Sequence, residues 1–281
     1  MKVRIMADST CDLSPELIER YHLTITPLYI EMDGSFRKDG IEVQPTDIFE
    51  YVNKTGKLCH TAAVSEADYV EYFGKALEEA DGIVHFTISS DMSACYQNAV
   101  NAARKFENVH VVDSRNLSTG IALLVIRACE MADQGMAAAD IAEACRALTD
   151  KVETSFILDT LLYLSKGGRC SSLTAFSAGL LNIKPCIEVK GGKMGVGKKY
   201  RGRMEQVLTN YVTERLRGRE DIDLSRIFIT YSSTTPVYYE AVKKAILDCQ
   251  PFAEILPTSA GSTVSNHCGP LCLGILYMTK E

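Results

Sequence analysis

Four short stretches carry side chains able to hold an anion or act on one. Ile88-Ser89-Ser90-Asp91-Met92-Ser93-Ala94-Cys95-Tyr96-Gln97 follows the apolar run Gly82 to Ile88 and leads into helical spacing at Ala99, Val100, Ala103 and Phe106. In open α/β sheets, ligands sit beyond the carboxyl ends of the strands. A helix start there offers free N–H groups that favour an anion, and Ser93 adds a hydroxyl donor. The alternative is that Ser90, Asp91 or Ser93 only caps the helix. Thr61, in His60-Thr61-Ala62-Ala63-Val64-Ser65, precedes another helix and either presents its hydroxyl to the same mouth or sits in an ordinary loop. Asn266-His267-Cys268-Gly269-Pro270 reads as a turn leading into an apolar strand, with an imidazole that either donates to a carboxylate or is a polar loop residue. Lys166-Gly167-Gly168-Arg169 sets two cations around a flexible turn. It is a solvated helix end or a docking point for a phosphate or an anionic surface.

Catalytic readings of these residues are poorly supplied. Ser93 and His267 would serve as nucleophile and base of an acyl-ester hydrolase, yet no third acid is evident. The nearest approach to a Gly-x-Ser-x-Gly elbow, Ala175-Phe176-Ser177-Ala178-Gly179, lacks its first glycine and follows no obvious strand. Gly192-Lys193-Met194-Gly195-Val196-Gly197-Lys198-Lys199 nearly spells a phosphate-binding loop, but Lys199 stands where the magnesium-binding hydroxyl belongs. Its flanks read as two strands of a hairpin, so a nucleotide site is not expected. The ten cysteines include no Cys-x-x-Cys pair, and Cys129, Cys145 and Cys186 lie in apolar runs. They read as small hydrophobes, with no metal expected.

These residues need a scaffold. A chain of 281 residues, 46% apolar and 23% charged, is long enough for one large unit or two ordinary domains. A formal charge of −6 argues against an extended grip on nucleic acid. The N-terminus reaches Asp8 almost at once, unlike a signal peptide, and no run approaches the ~20 apolar residues that span a bilayer. The expected compartment is the cytoplasm, without stable membrane insertion. Strands are expected at Lys2 to Ala7, Thr24 to Glu31, Gly82 to Ile88 and Val109 to Val112, with a tight turn at Asp33-Gly34. Ser14, Thr46 and Ser65 read as helix caps, Pro15 taking the first position after Ser14 and Asp68 completing a box with Ser65. Helices from Thr119 to Asp133 and Ala139 to Thr149 close this half. The β/α alternation implies a parallel sheet with right-handed crossovers. The texture then changes. Strands at 156–158, 183–189, 226–231 and 273–278, a hairpin at Gly191-Gly192 and helices near 205–217 and 239–247 follow. The division falls near Lys151, giving an N-terminal domain of residues 1–151 and a C-terminal domain of 152–281.

The ordered set of motifs resembles the DegV family over nearly the whole chain. Asp8-Ser9-Thr10-Cys11-Asp12-Leu13 is similar to its opening Asp-Ser-x-x-Asp-Leu, and Ile88 to Tyr96 to its Ile-Ser-Ser-x-Leu-Ser-Gly-Thr-Tyr. Leu162 to Arg169, Leu180 to Pro185 and His267 to Pro270 follow their counterparts in order. The resemblance implies an α/β protein of two domains, an N-terminal three-layer α/β/α parallel sheet and a C-terminal two-layer mixed sheet. It also implies a long-chain fatty acid in an interdomain apolar tunnel, with no cofactor and no catalytic residue of its own. Carried over, Thr61, Ser93, the Ala94 N–H and His267 would hold the carboxylate without a permanent counter-ion. Arg169 and Arg201 would dock a separate ATP-dependent fatty-acid kinase subunit. Two departures stand out: Ala62-Ala63-Val64 replaces Ser-x-Pro behind Thr61, and Ala94-Cys95 replaces Gly-Thr after Ser93.

Overall fold

The computed structural model describes residues 2–170, 183–232 and 237–280. Strand β1 (Val3–Asp8) runs into helix α1 (Pro15–Arg20), where the Ser14 hydroxyl accepts the Leu17 N–H and Pro15 sits in the first turn. The segment expected as one strand from Thr24 to Glu31 is two, β2 (Thr24–Thr26) and β3 (Tyr29–Met32). Pro27 lies between them and has no N–H for a ladder, and the two pieces join different sheets. Strand β4 (Ser35–Lys38) returns from the Asp33-Gly34 turn. Helix α2 (Pro45–Thr55) starts earlier than expected: Gln44 and Asp47 form the capping box, and Thr46 lies inside the helix. Strand β5 (His60–Ala62) precedes α3 (Glu66–Leu77), whose box is Ser65 with Asp68 as the spacing predicts. Strand β6 (Gly82–Thr87), α4 (Cys95–Ala103), β7 (Val109–Asp113), α5 (Thr119–Asp133) and α6 (Ala138–Leu148) complete this half.

Strands β2-β1-β6-β7 form an all-parallel sheet. Every residue of β6 is buried, as a central parallel strand covered on both faces requires. Helices α3 and α4 pack together against this sheet, and α5 and α6 form a second pair against it. A small antiparallel sheet, β4-β3-β5, pairs Thr61 with Ile30.

The remainder is built on a mixed sheet. Its strands are β8 (Val152–Ile157), β9 (Ile183–Lys190), β10 (Lys193–Arg201), β11 (Ile222–Tyr231), β12 (Glu254–Ser259) and β13 (Leu273–Thr279), in the order β10-β9-β8-β13-β11-β12. Only the β11–β12 pair is parallel. Helices α7 (Leu162–Gly167), α8 (Met204–Leu216), α9 (Tyr239–Leu247) and α10 (Ser262–Cys268) accompany it. The two main sheets change over at Val152, but the core does not break there. Helix α5 touches β1 and β6 on one side and β8 and β13 on the other, and Gly120 to Ile126 are all buried. Its first half is apolar all round and has no solvent face, while Arg127, Glu130 and Asp133 give its second half one.

The opening motif is a hub of buried polar contacts. Asp8, fully buried, accepts hydrogen bonds from the Tyr69 hydroxyl (2.6 Å), the Thr26 hydroxyl (3.0 Å) and the Ile88 N–H (3.1 Å). Without those donors a buried carboxylate would be costly. Tyr69→Phe is therefore expected to lower the unfolding free energy by about 2 kcal/mol, measured by urea denaturation at neutral pH. Unchanged stability would show that Asp8 does not depend on that donor.

Candidate functional site

A cavity of about 220 Å³ lies where the two halves of the chain meet. Thr61, Ser93, Ala94 and His267 all line it, and so does Arg169. Leu28, Ile88, Met92, Leu117, Met194 and Val264 supply apolar wall. Arg169 and Ala94 are exposed, whereas Ile88, Met92, Leu117 and Met194 are buried. The cavity thus has a polar end that reaches solvent and an apolar end directed inward.

Each polar group is brought there by a different element. Thr61 sits on β5, not in a loop. The segment behind it is tied to α4 by the Asn98 side chain, which donates to the Val64 carbonyl at 2.8 Å. Ser93 and Ala94 lie at the end of the β6–α4 connection. Ala94 itself is the cap residue of α4, so none of Ser90, Asp91 and Ser93 holds that position. Ser93 does act locally: its oxygen accepts the Cys95 N–H at 3.3 Å and its hydroxyl donates to Cys95 Sγ at 3.2 Å. No hydrogen bond engages the Ala94 N–H among the described residues.

His267 belongs to helix α10, and the expected turn begins only at its cap, Gly269. The sequence Ser-Thr-Val-Ser-Asn-His-Cys contains no strong helix former, which hides the helix from a propensity argument. His267 Nε2 lies 3.0 Å from Thr61 Oγ1, joining residues 206 apart in the chain. Its Nδ1 is buried without a partner. Gly167 packs against that nitrogen, and a Cβ there would collide with it. The first glycine of Lys-Gly-Gly-Arg is thereby explained as room for the imidazole. The second, Gly168, ends α7 in the left-handed conformation at φ 69°. Burial, and secondarily the Arg169 guanidinium, pushes the His267 pKa down from 6.5 to about 4. The ring is neutral at pH 7, and an Nε2–H donated to Thr61 leaves the Thr61 proton free for a ligand.

The hydrolase geometry is not formed. The imidazole meets Thr61, and Ser93 bonds within its own turn. The near-elbow Ala175–Gly179 lies outside the described residues, as do Leu180 to Asn182. The near-phosphate-loop Gly192–Lys199 is the β9–β10 turn and strand β10, in an antiparallel hairpin. Gly192 has φ 83°, and a Cβ on it would approach Ser89 Oγ to 2.8 Å and Arg115 Cζ to 2.9 Å. None of the ten cysteines is in a disulfide, and among the described residues no three His, Cys, Asp or Glu side chains are placed to hold a metal.

Read from the sequence as a docking residue, Arg169 stands on the cavity wall, where its charge faces the site. Arg201 ends β10, is exposed and does not line the cavity. A second cleft of about 370 Å³ contains Arg115, Arg215 and Arg219. Each is already matched: Arg115 with Asp91 (3.2 Å), Arg219 with Glu153 (2.8 Å), and Arg215 with Glu188. Its charge is satisfied internally, and the first cavity is the better candidate.

The arrangement is an α/β fold with a parallel sheet, a mixed sheet and a half-polar cavity where the two halves meet. A family model described as "Uncharacterised protein, DegV family" matches residues 2–280, and the chain belongs to the DegV family. A DegV domain-containing protein of Deinococcus radiodurans is 29% identical over 98% of both chains. Among solved structures, a DegV family protein from Thermus thermophilus described as fatty acid binding is 28% identical, with a TM-score of 0.90 and full coverage of both chains. A stearic acid-binding protein from Eubacterium ventriosum is 25% identical, with a TM-score of 0.83, covering 99% of this chain and 98% of its own. No helix of the described residues is long and apolar enough to cross a membrane.

The depressed His267 pKa carries a pH signature. Between pH 6.5 and 4 the unfolded chain binds a proton at this position that the folded chain does not. Acid therefore favours unfolding there, and the contribution is fully present only above pH 6.5. Comparison of the wild type with His267→Gln isolates this group from other titrations. The wild type is expected to lose on the order of 2 kcal/mol relative to the variant as pH falls through that window. Parallel stability curves from pH 7 to 4 would contradict a neutral, buried imidazole.

Proposed function

We propose that this protein binds one long-chain fatty acid in the cavity between its halves, carboxylate at the exposed end and tail along the apolar wall. The observation that carries this reading is the Thr61–His267 contact across the two halves, with Ser93, the Ala94 N–H and Arg169 on the same cavity. Thr61 and Ser93 donate hydroxyl protons to the carboxylate, Ala94 donates its N–H, and His267 holds the Thr61 oxygen. Arg169 adds a positive charge at the rim, so the head is not held by neutral donors alone. The similar proteins from Thermus thermophilus and Eubacterium ventriosum, described as binding fatty acid and stearic acid, support the same ligand class.

The protein acts as a carrier and supplies no chemistry of its own. A carboxylate at an open mouth can be reached by a second protein while the tail stays enclosed. The recipient is a separate ATP-dependent fatty-acid kinase, docked through exposed Arg201 with Arg169 near the reacting group. The 1–151 and 152–281 halves act as two domains, the first carrying the carboxylate-binding loops and the second completing the site.

Head and tail make unequal contributions. Each buried methylene contributes about 0.8 kcal/mol, so about 16 carbons yield roughly 10 kcal/mol before ordering costs. The headgroup contacts mainly offset the cost of removing the carboxylate from water and set direction. Protein purified from a heterologous host is expected to release a fatty acid into organic solvent, near one per chain by mass spectrometry. A lipid-free extract together with no uptake of added palmitate would end the reading. Ser93→Ala should weaken palmitate binding by about 1–2 kcal/mol, whereas Val264→Trp, which fills the apolar wall, should abolish it. Equal losses in a calorimetric titration would argue against this division.

A further inference from the structure

We infer that Asp12 and Asp39 are positioning residues for the headgroup end of the cavity: from the first half of the chain they grip the start of α10 and so set where its far end holds His267 against Thr61. The inference rests on the fatty-acid reading of that cavity and adds to it the residues that align the site.

Helix α10 is only seven residues long and begins at Gly261, which has no side chain to cap it. Its first N–H groups are taken instead by carboxylates from far away in the sequence. Asp12 Oδ1 accepts the Gly261 N–H at 2.8 Å. Asp39 accepts the Ser262 N–H at 2.9 Å on one oxygen and the Thr263 N–H at 3.2 Å on the other. The Ser262 hydroxyl donates to the Val43 carbonyl at 3.0 Å, and the Asn266 amide to the Cys59 carbonyl at 3.0 Å. Every one of these partners comes from the first half. Ser262 and His267 are five residues apart, about 8 Å along a helix, so a shift at the start is passed to the imidazole.

The same carboxylates reach the cavity wall by a second route. Asp39 accepts the Ser9 hydroxyl at 3.0 Å; Ser9 Oγ accepts the Leu28 N–H at 3.1 Å, and the Asp39 N–H donates to the Leu28 carbonyl at 2.9 Å. Leu28 lines the cavity. Asp12 accepts the Ser118 hydroxyl at 2.6 Å, next to Leu117, another wall residue. Both carboxyl groups are buried, and Asp12 is pushed up to about 8, chiefly by burial and in part by the charge of Asp39, so it is mostly the neutral acid at pH 7. A serine at position 261 would cap the helix more simply. It would not join the two halves.

Asp39→Asn replaces one acceptor oxygen by an N–H₂ group that faces a helix N–H. In the full-length variant the His267 ring, followed by NMR with labelled histidine, is expected to titrate at least one unit higher, moving from about 4 toward 6.5. The Kd for palmitate is expected to rise roughly tenfold, as for loss of one hydrogen bond to a charged group. The Kd for hexadecanol, which has the tail without the carboxylate, should stay within about twofold. Ser262→Pro is the second variant. Proline is tolerated at the first helical position and deletes the N–H that Asp39 accepts, so it should reproduce both shifts and serves if Asp39→Asn does not fold. An unmoved His267 titration in the folded variants overturns the inference. If the wild type binds no palmitate while the variant's histidine titration still moves, the fatty-acid reading fails and the positioning role stands.

Discussion

The cavity depends on one mechanical fact: helix α10 is tethered to the half of the protein from which it does not come. A seven-residue helix has no stability of its own in water. Here its first N–H groups are satisfied by Asp12 and Asp39, the Ser262 hydroxyl by the Val43 carbonyl, and its last turn by the Cys59 carbonyl and Thr61. The helix exists because the halves are together, and the polar end of the cavity exists because the helix is there. This also rationalises placing two carboxylates where burial is costly. They accept N–H and O–H donors that are otherwise unsatisfied, and the arrangement needs both halves of the chain.

A second seam holds the opposite wall. Ser89 Oγ donates to the Gly192 carbonyl at 2.7 Å, and Arg115 bonds Asp91 and the Gly191 carbonyl. Together with Asp8 accepting the Ile88 N–H, these contacts fix the 88–94 connection before any ligand arrives. A backbone held in place in this way needs no ordering on binding, which is where preorganisation saves affinity.

What the sequence disclosed and what it hid divide along the range of the interactions. The parallel sheet was legible because β1, β6 and β7 are buried runs and because Ser14 and Ser65 cap helices through contacts three residues away. The strand break at Pro27 and the early start of α2 at Pro45 are local as well, and a stricter reading of proline finds both. Helix α10 is different in kind. Its residues favour turns, and the carboxylates that make it a helix lie more than 200 residues away. Thr61, Ser93 and His267 carried no decisive local signal. Their association emerged from the ordered resemblance to a family, and the cavity brings them together with Arg169, whose position on the wall no local pattern indicates.

The departure at Cys95 bears on how the site exchanges one partner for another. The Ser93 hydroxyl donates to Cys95 Sγ rather than to oxygen. Burial, with Asp8 nearby, pushes that thiol up to about 12, so the sulfur is neutral and a weak acceptor. A threonine hydroxyl at the same place would compete for the Ser93 proton as a full oxygen acceptor. Sulfur gives up the proton at little cost, while the Cys95 N–H keeps the Ser93 oxygen in place. The substitution thus leaves the Ser93 proton on a weak acceptor. The added Cβ of Ala94 lies at an exposed position on the cavity wall.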